Sequence, residues 1–266
     1  MITPRIKVNA DKLGALIPRY IAETRRGVRA SLLTVSRTTT KELIKYTAPY
    51  DKADFTSWKA AKKIGESAVE RDVRKVYWKV SKILYLLKEK GFYDEVRLIY
   101  RLIQRGELHD AMSVLKATGI RERNTPIGYF DGGAEHRRSR SRRSGRVFRN
   151  RPAMIVIDSE KIEPYIQELQ ARVGFTRAGW ITAALAGALG GMNKFPVWIK
   201  RWSGRAPGSG GLMEGKNGIK VRLKNAVSWT STALPAGRIA DALRDARMKL
   251  EKQMQIIIAH RRKRLK

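Results

Sequence analysis

The sequence contains no cysteine, so it can build neither a disulfide framework nor a thiolate metal site. Histidine is almost as scarce. His109, His136 and His260 fall in three separate segments with no acid at metal-ligand spacing, and surface positions are expected for them. Long apolar runs are missing as well. The blandest stretch, Ala178 to Met192, is too short and too rich in Gly and Ala to span a bilayer. No apolar segment follows Met1-Ile2-Thr3-Pro4-Arg5, so no secretory signal is expected. Acidic residues are few: 24 Asp and Glu stand against 56 Lys and Arg. What remains is a chain of 266 residues, 42% hydrophobic, long enough to bury a core without staples.

The net charge of +32 is not confined to a tail. Segments 1–50, 51–120, 121–152, 153–234 and 235–266 each carry more Lys and Arg than Asp and Glu. A field of one sign repels itself unless its surroundings supply anions, and nucleic acid is the commonest supply. Solubility alone does not require so one-sided a balance.

Apolar residues recur at three- and four-residue spacing from Leu13 to Tyr46, predicting a long first helix that Pro49 stops. A second helical stretch runs from Ala60 to Leu87, and two shorter ones (Tyr93 to Gln104, Glu107 to Ala117) read as an inserted helical hairpin over about 79–120. Residues 121–152 lack an apolar pattern. From Arg137 to Arg151 they carry eight arginines and no acid, which predicts a flexible arm. Ala153 to Ile157 reads as a buried strand, and Ser159 as the cap of a helix bearing Ile162, Ile166 and Leu169. Gly204 to Gly218 reads as a flexible loop, followed by an alternating strand (Ile219, Val221, Leu223) and a last amphipathic helix introduced by Pro235, with Ile239, Leu243, Met248, Leu250, Met254, Ile257 and Ile258 as its apolar stripe. The expected class is therefore α+β: mainly helical, with long N-terminal and C-terminal helices, a helical insert and a small sheet from 153–158 and 218–227. The expected division is a helical region over 1–120, the arm over 121–152, and an α+β region over 153–266.

No constellation for catalysis emerges, and neither an enzyme nor a cofactor is expected. Gly210 to Asn217 nearly matches a phosphate-binding loop, but a Pro/Gly-rich run precedes it and a strand follows, where the motif needs a strand and then a helix. No serine stands at a nucleophile elbow. The acids Glu70, Asp72, Asp94 and Glu95 lie among cations at helical spacing and read as paired surface groups.

The candidate contacts are cationic and aromatic. Arg137, Arg138, Arg140, Arg142, Arg143, Arg146, Arg149 and Arg151 suit bidentate phosphate contact or a neighbouring subunit. The tail Arg261, Arg262, Lys263 and Arg264 belongs to the same class. Trp180, Trp198 and Trp202 read either as ordinary core or as interface anchors.

Several stretches also carry a resemblance. They are Leu43-Ile44-Lys45-Tyr46-Thr47-Ala48-Pro49 and the helix Ala61 to Tyr77, then Gly174-Phe175-Thr176-Arg177-Ala178-Gly179-Trp180, Phe195-Pro196-Val197-Trp198-Ile199, and Ile219 to Val227. In that order they resemble small virion proteins of tailed bacteriophages, grouped with minor tail, tail-completion and neck (head–tail connector) proteins. The resemblance covers about half the chain, chiefly 30–78 and 172–260. It implies a non-enzymatic α+β virion component at the head–tail junction or upper tail, assembled in the host bacterial cytoplasm. Its implied partners are connector, tail or neck subunits and copies of itself in a ring, with nonspecific DNA contact and no membrane. The alternative is a cellular protein that binds nucleic acid without sequence preference.

Overall fold

The computed structural model describes residues 16–24, 27–49, 57–119, 126–140, 147, 154–215 and 218–264. The fold is α+β and mainly helical, as expected. It divides into two compact units, one formed by 1–65 with 173–266 and the other by 66–172. This division differs from the expected one at 120 and 152. The segment set into the chain is the whole of 66–172, because the strand near 155 pairs with strands inside that segment and not with 218–227.

In the first unit, α1 (Leu16–Thr24), α2 (Val28–Tyr46) and the final helix α12 (Ala236–Arg264) pack together. Tyr20, Val35, Leu250 and Met254 are buried in one cluster, with Leu243 against it. Along α12 the fully packed positions are Ala242, Ala246, Leu250 and Met254, a strict four-residue ridge. Two alanines on that ridge let the helix backbones approach closely. Met248, expected on the apolar stripe, is exposed instead. Glu42 of α2, nearly buried, is held by Lys249 of α12 at 2.6 Å, and the Tyr46 hydroxyl donates to Asp245 at 2.6 Å. Helix α9 (Phe175–Ala186) packs against α2 and carries an antiparallel hairpin, β4 (Gly208–Gly215) and β5 (Gly218–Asn225), whose second strand also contacts α2. The expected loop over 204–218 is thus largely a strand, and the resemblance to a phosphate-binding loop ends there, since strand leads to strand.

The second unit is built on a three-stranded parallel sheet in the order β1 (Tyr77–Lys79), β3 (Met154–Val156), β2 (Ile127–Gly128). Tyr77 stands beside Met154 and Trp78 beside Ile155, while Ile127 flanks Ile155 on the other side. Parallel sheets need cover on both faces, and each face has its own core. Tyr77 and Val156 join Val73, Val76, Ile162 and Ile166, from helices α3 (Trp58–Val76) and α8 (Ile162–Ala171). Ile127 and Ile155 join Ile83, Leu87, Val96, Ile99 and Leu115, from α4 (Val80–Glu89), α5 (Tyr93–Arg105) and α6 (Leu108–Ala117). The expected continuous helix to Leu87 is therefore broken at Val76. Tyr77 and Trp78 are aromatic, and a paired strand with a core on each face suits them better than a solvated helix.

Candidate nucleic-acid interface and its supporting centre

The first unit is organised around Arg177. The side chain lies on α9 with no exposed surface. Its Nε donates to the Thr47 carbonyl at 2.7 Å, and one terminal nitrogen donates to the Lys45 carbonyl at 3.1 Å and to the Pro49 carbonyl. The Lys45 and Thr47 carbonyls lie at the end of α2, where the helix dipole is negative and the last C=O groups lack intrahelical partners. The guanidinium also lies over the rings of Trp58 and Trp198, at 5.3 and 5.6 Å from their centroids. Burial pulls its pKa down to about 9, which leaves it charged at neutral pH. An arginine thus caps a helix C-terminus from inside the core.

The surrounding groups interlock. Trp180 Nε1 donates to the Thr47 hydroxyl at 3.1 Å, and the Asn225 side chain donates to the Thr176 carbonyl at 2.7 Å. Gly174 (φ 95°) leads into α9, and a Cβ there would stand 2.7 Å from the Trp198 ring. Trp180 and Trp198 are therefore core residues and offer no anchor to a partner. Trp202 is half-buried, edge-on to Phe175 at 5.5 Å. The exposed tryptophan is Trp229, whose Nε1 donates to the Thr176 hydroxyl at 2.8 Å.

The hairpin sits on α9 backbone to backbone. A Cβ added at Gly208 would fall 2.2 Å from the Gly179 carbonyl, and one at Gly210 would fall 2.0 Å from that of Ala183. Asn225 and Leu223 pair with these glycines in register, so 208, 210, 221, 223 and 225 form the inner face. The opposite face presents Lys220, Arg222 and Lys224 across from Met213, Gly211 and Ser209. Among the described residues these three cations have no acidic partner.

Of the expected arm, Arg137 and Arg138 stand on a short helix, α7 (Ala134–Ser139), and Arg140 follows it in a bridge to Val147. This is a correction: the arm's first part is folded. The Asp131 carboxylate accepts from the Tyr77 hydroxyl at 2.5 Å and from the backbone N–H groups of Gly133 and Glu135. Burial raises its pKa, but those hydrogen bonds outweigh it and hold the group below the usual carboxylate range. His136 donates its backbone N–H to the Tyr77 oxygen at 3.1 Å, and its Nδ1 lies 3.0 Å from the Tyr165 hydroxyl. Arg137 and Arg138 are exposed, and Arg138 reaches Glu135 at 3.0 Å. Arg142, Arg143, Arg146, Arg149 and Arg151 lie outside the described residues. Arg261, Arg262, Lys263 and Arg264 continue the backbone of α12, and their side chains are outside the described set.

His136, expected at the surface, is buried. Burial, then the Arg140 charge, pull its pKa from 6.5 to about 4, with Arg137 acting the same way and Asp72 opposing. The folded value lies below the unfolded one, so the contribution to stability is complete above pH 6.5 and is lost as the pH falls towards about 4. Roughly 3 kcal/mol should go in that interval, at about 1.4 kcal/mol per unit. Unfolding followed by Tyr and Trp fluorescence should show the slope in the native chain and not in His136→Asn. An equal slope in both would assign it to other groups.

Among the described residues no three of His, Asp and Glu come together as a metal site would require, and no helix is long and apolar enough to cross a membrane. Comparison with protein families, with curated proteins and with solved structures gives no match.

Proposed function

We propose that the chain is a structural component of a tailed-bacteriophage particle, at the head–tail junction or upper tail. There it would assemble with connector, tail or neck subunits, and with copies of itself, close to the path of the DNA. One observation carries the reading. Four of the five stretches that resemble phage virion proteins meet at a single centre in the first unit; the fifth, Ala61 to Tyr77, does not. Thr47 and Pro49 of the first supply carbonyls to Arg177 of the third, Trp198 of the fourth lies over its guanidinium, and Asn225 of the last bonds to Thr176. Residues scattered over about 180 positions thus contribute to one interlocked cluster. The exposed Met248 and Ile256 of α12 are apolar groups that subunit contacts would cover.

The test is assembly. Mass photometry and negative-stain images of the purified chain should give closed rings of one stoichiometry, alone or with duplex DNA. A monomer under all of these conditions, binding DNA without ring formation, would favour the second reading, a cellular protein that binds nucleic acid without sequence preference. The unneutralised cations of the hairpin are the observation that keeps that reading in view.

A further inference from the structure

The geometry points to the outer face of the β4–β5 hairpin as a docking surface for the sugar–phosphate backbone of nucleic acid, with Lys220, Arg222 and Lys224 as the phosphate contacts. This inference rests on reading the chain as a neighbour of nucleic acid and names the surface that does the work. Three observations support it.

The first is spacing. Alternate residues of a strand recur about every 6.8 Å on one face, close to the separation of successive phosphates along an extended nucleic-acid strand. Lys220, Arg222 and Lys224 occupy three consecutive positions of that kind. The second is clearance. Their cross-strand neighbours are Met213, Gly211 and Ser209, none of them acidic, and a Cβ added at Gly211 would meet nothing within 4 Å. A backbone could therefore lie along the ribbon unobstructed at its middle.

The third is the contrast with the cations of α12 and with Arg74 of α3. On α12, Arg244 reaches Asp241 at 3.1 Å, Arg247 reaches Glu251 at 2.9 Å and Lys249 reaches Glu42. In the second unit, Arg74 lies between Glu70 and Glu163, both at 2.8 Å. Those charges are already answered within the fold. The hairpin cations are not, among the described residues, so an external polyanion meets less competition there. The inner face is held flush on α9 by Gly208 and Gly210, which keeps the ribbon from collapsing onto its own charges.

The test is a salt titration of fluorescence anisotropy with a labelled DNA duplex, on the full chain. In the Lys220→Gln/Arg222→Gln/Lys224→Gln variant the log–log slope should shallow by about 2.7, at about 0.9 per phosphate contact. Between about 50 and about 200 mM salt the native chain should then lose about fortyfold more affinity than the variant. A control removing the same charge from exposed Lys88, Lys90 and Lys116 should leave the slope near native. Gly211→Lys, which adds a fourth cation in open space, should steepen it by about 0.9 and needs no loss of structure to be read. If the native chain binds but the hairpin triple keeps its slope, or the control shallows it equally, the hairpin assignment is overturned while the broader reading stands. If the native chain binds no duplex at low salt, both fail, and the face would belong to an acidic protein partner.

Discussion

Arg177→Ala should cost the first unit about 3–5 kcal/mol, because buried carbonyl acceptors are left without their donor and a cavity opens among them. The carbonyls of Lys45, Thr47 and Pro49 would lose their donor at the end of α2, and a buried acceptor without a partner costs about 1–3 kcal/mol. The space between Trp58 and Trp198 would also empty, adding the loss of packing around a cavity. At about 2–4 °C per kcal/mol for a domain of this size, the melting temperature should drop by roughly 10 °C or more. Arg177→Lys separates the contributions. It keeps a charge but offers one nitrogen where the guanidinium offers a planar fork, so it should recover only part of the loss. A melting temperature within about 2 °C of native for the alanine variant, less than 1 kcal/mol on the same scale, would show that α2 ends securely without the arginine.

That centre was only half legible in the sequence. An arginine on a helix ordinarily reads as a solvated group, and nothing in its periodicity distinguishes Arg177 from Arg172. The available signal lay in its company: Ala178, Gly179 and Trp180 beside it, with Trp198 and Thr47 in the same resembling stretches. The helices themselves were legible because their apolar spacing is local. On α12 the sequence suggested the larger residues as the core stripe, whereas Ala242 and Ala246 make the closest packing, since small residues set how near two helices come.

The sheets were less legible, for a physical reason. Pairing is non-local, and short strands leave little pattern: Tyr77 to Lys79 is hidden at the end of a helical run, and Ile127–Gly128 is two residues long. The arginine-rich segment misled in a different way. Composition predicts disorder where no apolar residues are present, but Arg137 and Arg138 ride on a helix anchored by Asp131 and His136 to tyrosines far away in sequence. Polar anchoring of this kind is specified by the fold and not by local pattern. The candidate interface was missed outright. Alternation at 219, 221 and 223 marked the apolar side of β5, while the cations between them were not singled out.

Gly210→Val should be the most damaging single change in the hairpin, costing about 3 kcal/mol by the overpacking of a closed contact. Strand β4 has glycine at 208, 210, 211 and 215, which explains why it reads as a loop. It is nevertheless a strand because it pairs in register with β5 over its whole length and lies directly on α9. The contact is backbone against backbone: a Cβ at position 210 would stand 2.0 Å from the Ala183 carbonyl and 2.9 Å from the Gly187 nitrogen. Neither atom is the end of a flexible side chain, so relief requires lifting the ribbon off the helix. Lifting it would unseat Leu223, which packs beside Gly187, and strain the bond from Asn225 to the Thr176 carbonyl at 2.7 Å. Gly211→Val, one residue on and facing open space, is the matched control and should melt close to native. Hydrogen exchange should then localise the damage, with amides of β4, β5 and α9 losing protection in Gly210→Val while those of the parallel sheet keep theirs. Equal stability of the two valine variants would mean that the hairpin is not seated on α9 in solution.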